Sequence, residues 1–331
     1  MANVHRIGDY QDNEANPGQR QARMRGGGGM FGGDQQNEED ARSNPLIKAF
    51  MSQNSTPPRQ ETFWTMLKIY FCPTFTWKTC IFVLTFVNVT MFIISIIMTD
   101  GFTDDAFLGI KAKTLCKLGA KDVDLIQQGQ IHRFVLPIIL HVGFLHIVNN
   151  SVFLLVIGSI YEVLIGPLRF LAVYIVAGIG GNLLSALSND TISAGASTSL
   201  SGLAGGLLAF LVVNWVAMES TKQIRCCLLC LVIMVTFITV MLALLDLSTK
   251  ESNIDNLGHL GGFFTGALFA LAITPILHTS VNRHRMPGWT YERLCKVIGG
   301  ALCFLWFVIG ISMLYTQRHP KAQCALFRMV K

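Results

Sequence analysis

Charge is what this chain lacks most. Only 14% of its residues are Asp, Glu, Lys or Arg, against 51% hydrophobic, and the mean hydropathy is +0.47. An ordinary soluble domain cannot be solvated with so little charge, so a bilayer is the expected solvent. Basic residues are also too few and too scattered for nucleic acid: the net charge is +6, and no nucleic-acid-binding motif occurs. The opening residues do not read as a signal peptide, and they are not Arg-rich and acid-poor, so a mitochondrial address is not expected. Nine cysteines lie mostly in or beside apolar runs. Cys227-Leu-Leu-Cys230 is formally C-x-x-C but has no second ligand pair nearby, so metal binding is not expected. Its expected role is packing, with lipidation as the other reading.

What is present is a succession of long apolar runs. A bilayer-crossing helix needs about 20 mostly apolar residues. Seven stretches qualify, at roughly 78–99, 143–164, 168–187, 197–217, 226–246, 256–277 and 297–316. The expected fold is therefore all-α and polytopic. Residues 1–61 are polar and glycine-rich, expected to be a disordered cytosolic tail, and 62–77 a juxtamembrane segment. Residues 78–278 hold six spans. Their long connection 100–142 is half apolar and expected to fold back against the membrane. Residues 279–331 supply a basic linker, the seventh span and a tail. Lys222, Arg225, Arg283, Arg285, Arg293 and Lys296 crowd the loops after spans four and six, which predicts a cytosolic N-terminus.

Polar residues inside a bilayer are costly and usually functional. Spans two, four and six start on one side of the membrane. Near those starts stand His146 and Asn150, Ser197, and His259. Three separate segments thus place polar groups at one shallow depth. Gly258, Gly262 and Gly266 recur every four residues beside His259, and Gly202 and Gly206 do so after Ser197, which predicts close helix packing. A neutral histidine can take the proton of a serine hydroxyl and make it a nucleophile. Unpaired N–H groups at the start of span four, with His146 and Asn150 on one face of span two, can hold an oxyanion. Singly, each residue is more often a cap or a packing partner. Among Ser197, Ser199 and Ser201, depth favours Ser197, which sits at the helix mouth near water. Asp255 is expected to start span six rather than to complete a triad.

These residues resemble the rhomboid family of intramembrane serine proteases. HVGFLHIVNN is similar to its histidine–asparagine signature (His141, His146 and Asn150, with the first spacing one residue longer). GAST is similar to its nucleophile motif (Gly195, Ser197), and DNLGHLGGFFTG to its histidine segment (His259, Gly262, Gly266). Arg133 stands in the family's structural arginine position, and Glu162 and Arg169 fit its loop after span two. The chain departs from the pattern at Thr198, Ser201 and His132, where the family usually has glycine, an aromatic and tryptophan.

The resemblance covers about Gln130 to Pro275 and implies a six-helix core plus a seventh C-terminal span, the six-plus-one type of the secretory pathway. It implies a Ser197–His259 dyad with oxyanion donors from His146, Asn150 and the Ser197 backbone. Gly195, Gly258, Gly262, Gly266 and Arg133 would support the site. No cofactor or metal is implied. Expected partners are single-span transmembrane substrates, cut near their outer ends, and membrane lipid; the oligomeric state stays open. The expected compartment is Golgi, plasma membrane or endosomal. A non-catalytic rhomboid-like protein that binds or sorts clients is the alternative, and a channel or transporter a third reading. Asn189-Asp190-Thr191 is a glycosylation sequon on the outer side, too near the site to be expected modified.

Overall fold

The computed structural model describes residues 78–104, 106–249, 255–277, 288–316 and 324. The expected tail 1–61 and juxtamembrane segment 62–77 lie outside the described residues.

Six helices among the described residues are long and apolar enough to cross a membrane: α1 (Cys80–Met98), α4 (Phe144–Ile165), α5 (Pro167–Ser188), α6 (Ser197–Asn214), α8 (Asn256–Ile273) and α9, whose apolar part is Tyr291–Thr316. The fifth expected stretch is also helical, as α7 (Lys222–Thr249). Helix α9 begins before its apolar part, running Gly288–Thr316. Helix α6 is the centre of the bundle, 78% buried, whereas α1 and α9 are 22% buried and line its rim. The core joins Leu200, Leu203, Leu207 and Phe210 of α6 to Tyr161 of α4 and Phe170, Val173 and Tyr174 of α5.

Local chemistry fixes the helix starts. The Thr79 hydroxyl accepts the Phe82 N–H at 3.3 Å. The Glu162 carboxylate accepts the N–H groups of Cys80 (2.9 Å) and Ile81 (3.2 Å). A negative group at a helix N-terminus satisfies orphan donors and opposes the macrodipole. Glu162 is thus a cap for α1 inside the last turns of α4, not a loop residue. Arg169 likewise lies in α5, donating to the Ile165 carbonyl at 3.3 Å. The whole turn between the two helices is Gly166, at φ +82°, followed by Pro167, which suits the first position of a helix. Midway along α4, Leu154–Gly158 form a π-helical segment.

The connection 100–142 carries its own structure. Two short antiparallel strands, β1 (Phe102–Thr103) and β2 (Gly109–Ile110), precede α2 (Ala112–Leu118) and α3 (Val123–Gln127). Two 3₁₀ turns, Ile131–Phe134 and Leu136–Ile139, lead into α4. Arg133 organises this segment. Its guanidinium donates to the carbonyls of Ala120 (2.7 Å) and Cys116 (3.1 Å) and to the Gln130 side chain (2.8 Å). A planar cation with several donors can gather carbonyls around a helix C-terminus in a way that lysine cannot.

The far end of the chain is stitched to this segment. Cys116 and Cys324 form a disulfide across a separation of 208 residues. The Cys324 N–H donates to the Asp122 carboxylate at 2.9 Å, and Gln127 donates to the Leu314 carbonyl at 2.6 Å. Two cysteines to which the sequence assigned no role are therefore a covalent strap. The signal was available: both lie outside every apolar run, on the side assigned to the outer face.

Candidate active site

Glycine decides how closely α5, α6 and α8 approach. A Cβ built on Gly262 would lie 2.0 Å from the carbonyl oxygen of Thr198, and one on Gly266 would lie 2.1 Å from that of Gly202. Backbone therefore meets backbone between α6 and α8, the close contact that small residues permit in a membrane. The pairing differs from expectation in two places. Gly205, not Gly206, meets α8, against the Phe263 carbonyl, while Gly206 faces the Tyr161 hydroxyl of α4. At Gly258 the nearest obstacle to a Cβ is the Asp255 carboxylate, and the Gly258 carbonyl meets Gly181 of α5. The i, i+4 spacing of glycines gives a face; the crossing geometry of the helices decides which glycine on that face is used.

This contact brings the two expected residues together. The Ser197 hydroxyl and His259 Nε2 are 2.7 Å apart, although 62 residues separate them in sequence. Ser197 is the first residue of α6, and both side chains are partly exposed. Helix starts leave N–H groups without intrahelical partners, so donors surround the hydroxyl. The preceding loop is pinned: the Gly195 N–H donates to the Pro137 carbonyl at 2.9 Å.

His146 is the third expected residue to arrive. A Cβ on Gly195 would lie 2.7 Å from His146 Cε1, 3.0 Å from its Nε2 and 3.3 Å from the Ser197 hydroxyl. Glycine there leaves the gap that the imidazole and the hydroxyl share. Asn150, one turn further along α4, is buried with its amide nitrogen unpartnered. Buried donors are normally paired, and this one has no partner among the described residues. The His141 ring lies against His146, with ring centroids 5.4 Å apart, and is fully buried. Burial, and then the neighbouring His146, push its pKa down from 6.5 to about 3. Ser199 faces α5, where a Cβ on Gly178 would strike its hydroxyl.

Beside the site, at the end of α5 and the start of α8, lies a polar cluster that sequence reasoning missed. Lys121 is fully buried. Its ammonium donates to the Ser185 hydroxyl (2.7 Å) and to the side-chain (2.9 Å) and backbone (3.2 Å) oxygens of Asn189. Ser185 in turn donates to the Asp255 carboxylate, which also caps α8 through the Gly258 N–H at 3.0 Å. Asp255 is thus the N-cap expected from its position, one turn before His259, whose backbone N–H donates to the Asp255 main-chain carbonyl at 3.1 Å. Burial pushes the Lys121 pKa down to about 8, while Asp255, Asp190 and Asp122 pull the other way. Burial alone would raise the Asp255 pKa; Lys121 chiefly, with the hydrogen bonds of Ser185, Ser193 and Gly258, brings it below the usual carboxylate value. The Asn189 side-chain oxygen is committed to this cluster.

A serine at a helix mouth, hydrogen-bonded to a histidine on a neighbouring span, defines a helical multi-pass membrane protein built around a Ser–His pair. Comparison with known proteins supplies the family. Residues 128–276 match the rhomboid domain. The chain is 33% identical over 231 residues to Rhomboid-like protease 3 of Toxoplasma gondii, covering 68% of this chain and 81% of that one. It is 38% identical over 120 residues to RHOMBOID-like protein 5 of Arabidopsis thaliana, covering 35% of this chain and 39% of that one. Over 111 residues it is 38% identical to the Rhomboid protease GluP of Bacillus subtilis, covering 34% and 21%. The matched segments thus span about two fifths of the Arabidopsis relative and a fifth of the Bacillus one. The chain belongs to the rhomboid family.

Proposed function

We propose that this protein is an intramembrane serine endopeptidase. The observation that carries the reading is the 2.7 Å contact between the Ser197 hydroxyl and His259 Nε2. In the proposed reaction the Ser197 oxygen attacks a peptide carbonyl while His259 takes its proton. Negative charge on the carbonyl oxygen is met by the Ser197 N–H, His146 and the unpartnered Asn150 amide. His259 then protonates the leaving amine, and water arriving at the helix mouth hydrolyses the acyl-enzyme by the same steps in reverse roles. Substrates are single-span proteins whose helices unwind near the outer face, where their carbonyls lose internal partners.

The orientation proposed has the site on the lumenal or extracellular side and the N-terminus in the cytosol. The basic loops after α6 and α8 support it. So does the Cys116–Cys324 disulfide on the side of the site, because disulfides persist in oxidising compartments. Both observations support the reading of a six-plus-one rhomboid of the secretory pathway or plasma membrane.

Co-expression with a tagged single-span substrate tests the activity. Wild type should release the outer fragment, and Ser197→Ala and His259→Ala should each abolish release while accumulating as folded protein. Equal release by all three would overturn the reading. Client binding without release in any of them would identify a non-catalytic binder.

A further inference from the structure

The cysteines divide by side of the membrane. Cys116 and Cys324 are paired on the side of the site. Cys226, Cys227 and Cys230 are free and exposed, in the first turns of α7. Helix α7 follows the far end of α6, a helix of 18 residues, or about 27 Å of rise from the site. In the orientation proposed above this is the reducing, cytosolic side, where thiols stay free.

The three thiols lie on the outer face of α7. At 3.6 residues per turn, Cys226, Cys230, Ile233 and Phe237 form one stripe, with Cys227, Met234, Ile238 and Met241 beside it. That stripe is the outward-facing surface: Ile233, Met234, Phe237 and Ile238 are 58%, 54%, 63% and 49% exposed. The opposite face holds Leu228 and Val232, at 5% and 3%, in the core. Packing inside the protein therefore does not account for the thiols. They form no disulfide with one another, and no metal-holding cluster occurs among the described residues.

Depth completes the placement. Lys222 is exposed one turn before Cys226. The Arg225 guanidinium stands 4.4 Å from the Trp215 ring centre and donates to the Trp215 carbonyl at 3.0 Å. Tryptophan with basic side chains marks the headgroup level. The thiols thus begin just inside that level, facing lipid, at the root of an apolar stripe that continues down the same leaflet.

We infer that Cys226, Cys227 and Cys230 are an S-acylation site for long-chain acyl groups. A cysteine thiolate attacks the carbonyl of a long-chain acyl thioester donor. A new C–S bond forms at the protein sulfur, and the donor's C–S bond breaks. The departing thiolate takes up the proton that the cysteine gave, and nothing is oxidised or reduced. The attached chains lie along Ile233 and Phe237 and fasten the cytosolic end of α7 at the headgroup level. The inference rests on the proposed orientation and not on the protease reading.

The test uses the full chain expressed in cultured animal cells fed an alkyne-bearing palmitate analogue. The purified protein should carry label that neutral hydroxylamine releases. Each of Cys226→Ser, Cys227→Ser and Cys230→Ser should reduce that label, and the triple variant should lose it, whereas Cys80→Ser and Cys303→Ser should keep it. Ser197→Ala should be labelled like wild type, which separates this site from the active site. Mass spectrometry of the wild-type peptide spanning 226–230 guards against a misfolded triple variant: an acyl adduct is expected there. An unmodified peptide, absence of hydroxylamine-sensitive label, or full label in the triple variant overturns the inference.

Discussion

Alanine at Gly262 asks whether backbone contact between α6 and α8 makes the site. The added Cβ would lie 2.0 Å from the Thr198 carbonyl oxygen, whereas ordinary contact begins at 3.4 Å. One helix must therefore withdraw by more than an ångström. The obstacle is main chain, so no side chain can rotate away. Thr198 adjoins Ser197, and Gly262 lies one turn after His259, so the withdrawal acts on the 2.7 Å contact itself and takes it out of hydrogen-bond reach. Overpacking of this kind costs about 1–3 kcal/mol of stability. A misplacement of about 1 Å between reacting groups costs about 10²-fold in rate. Gly300→Ala is the control, since its Cβ would meet only Ala272 Cβ, at 3.9 Å. Both variants would be compared by size-exclusion profile in detergent and by turnover of a single-span substrate. Gly262→Ala should stay folded and cut about 10²-fold more slowly, with Gly300→Ala within about twofold of wild type. A folded Gly262→Ala cutting at the wild-type rate would refute the reasoning.

Three further outcomes follow from the polar cluster, the strap and the buried histidine. Lys121→Met leaves the Asp255 carboxylate without its cation and should cost about 3–5 kcal/mol, read as a large fall in Tm; an unchanged Tm would contradict the role given to the cluster. Cys324→Ser should free the thiol of Cys116 and cost about 2–5 kcal/mol, with Ser197 chemistry retained; equal thiol titres in wild type and variant would show that the strap does not form. Acid should destabilise the protein through His141. Its folded pKa is about 3 against an ordinary 6.5, so between those values the unfolded chain binds a proton that the folded chain refuses. Stability therefore falls as pH falls through that window, by about 1.4 kcal/mol per pH unit from this group. His141→Phe should flatten the acid limb of a Tm-against-pH curve, and parallel curves would be the contrary result.

Much of this architecture was legible before any coordinates. Span positions followed from apolar run length, because a bilayer imposes that length on every helix. Ser197 and His259 were legible because alternation of direction puts the starts of spans two, four and six at one depth. Lateral detail was not. Gly205 and Gly206 are adjacent in sequence but serve different neighbours, α8 and α4. Glu162 looked like a loop acid until the start of α1 was placed against it. Lys121 gave no signal among the other lysines of its segment, since its burial depends on Ser185 and Asn189, more than 60 residues away. Long-range polar pairing has no sequence period to reveal it.

The central claim is that Ser197 is a nucleophile armed by His259. Reaction of the detergent-solubilised, folded protein with a serine-directed fluorophosphonate tests it most directly. The account predicts a single covalent adduct, mapped by mass spectrometry to Ser197, absent from Ser197→Ala and sharply slowed in His259→Ala. Folded wild-type protein that takes no label, or label that persists undiminished in Ser197→Ala, would contradict it.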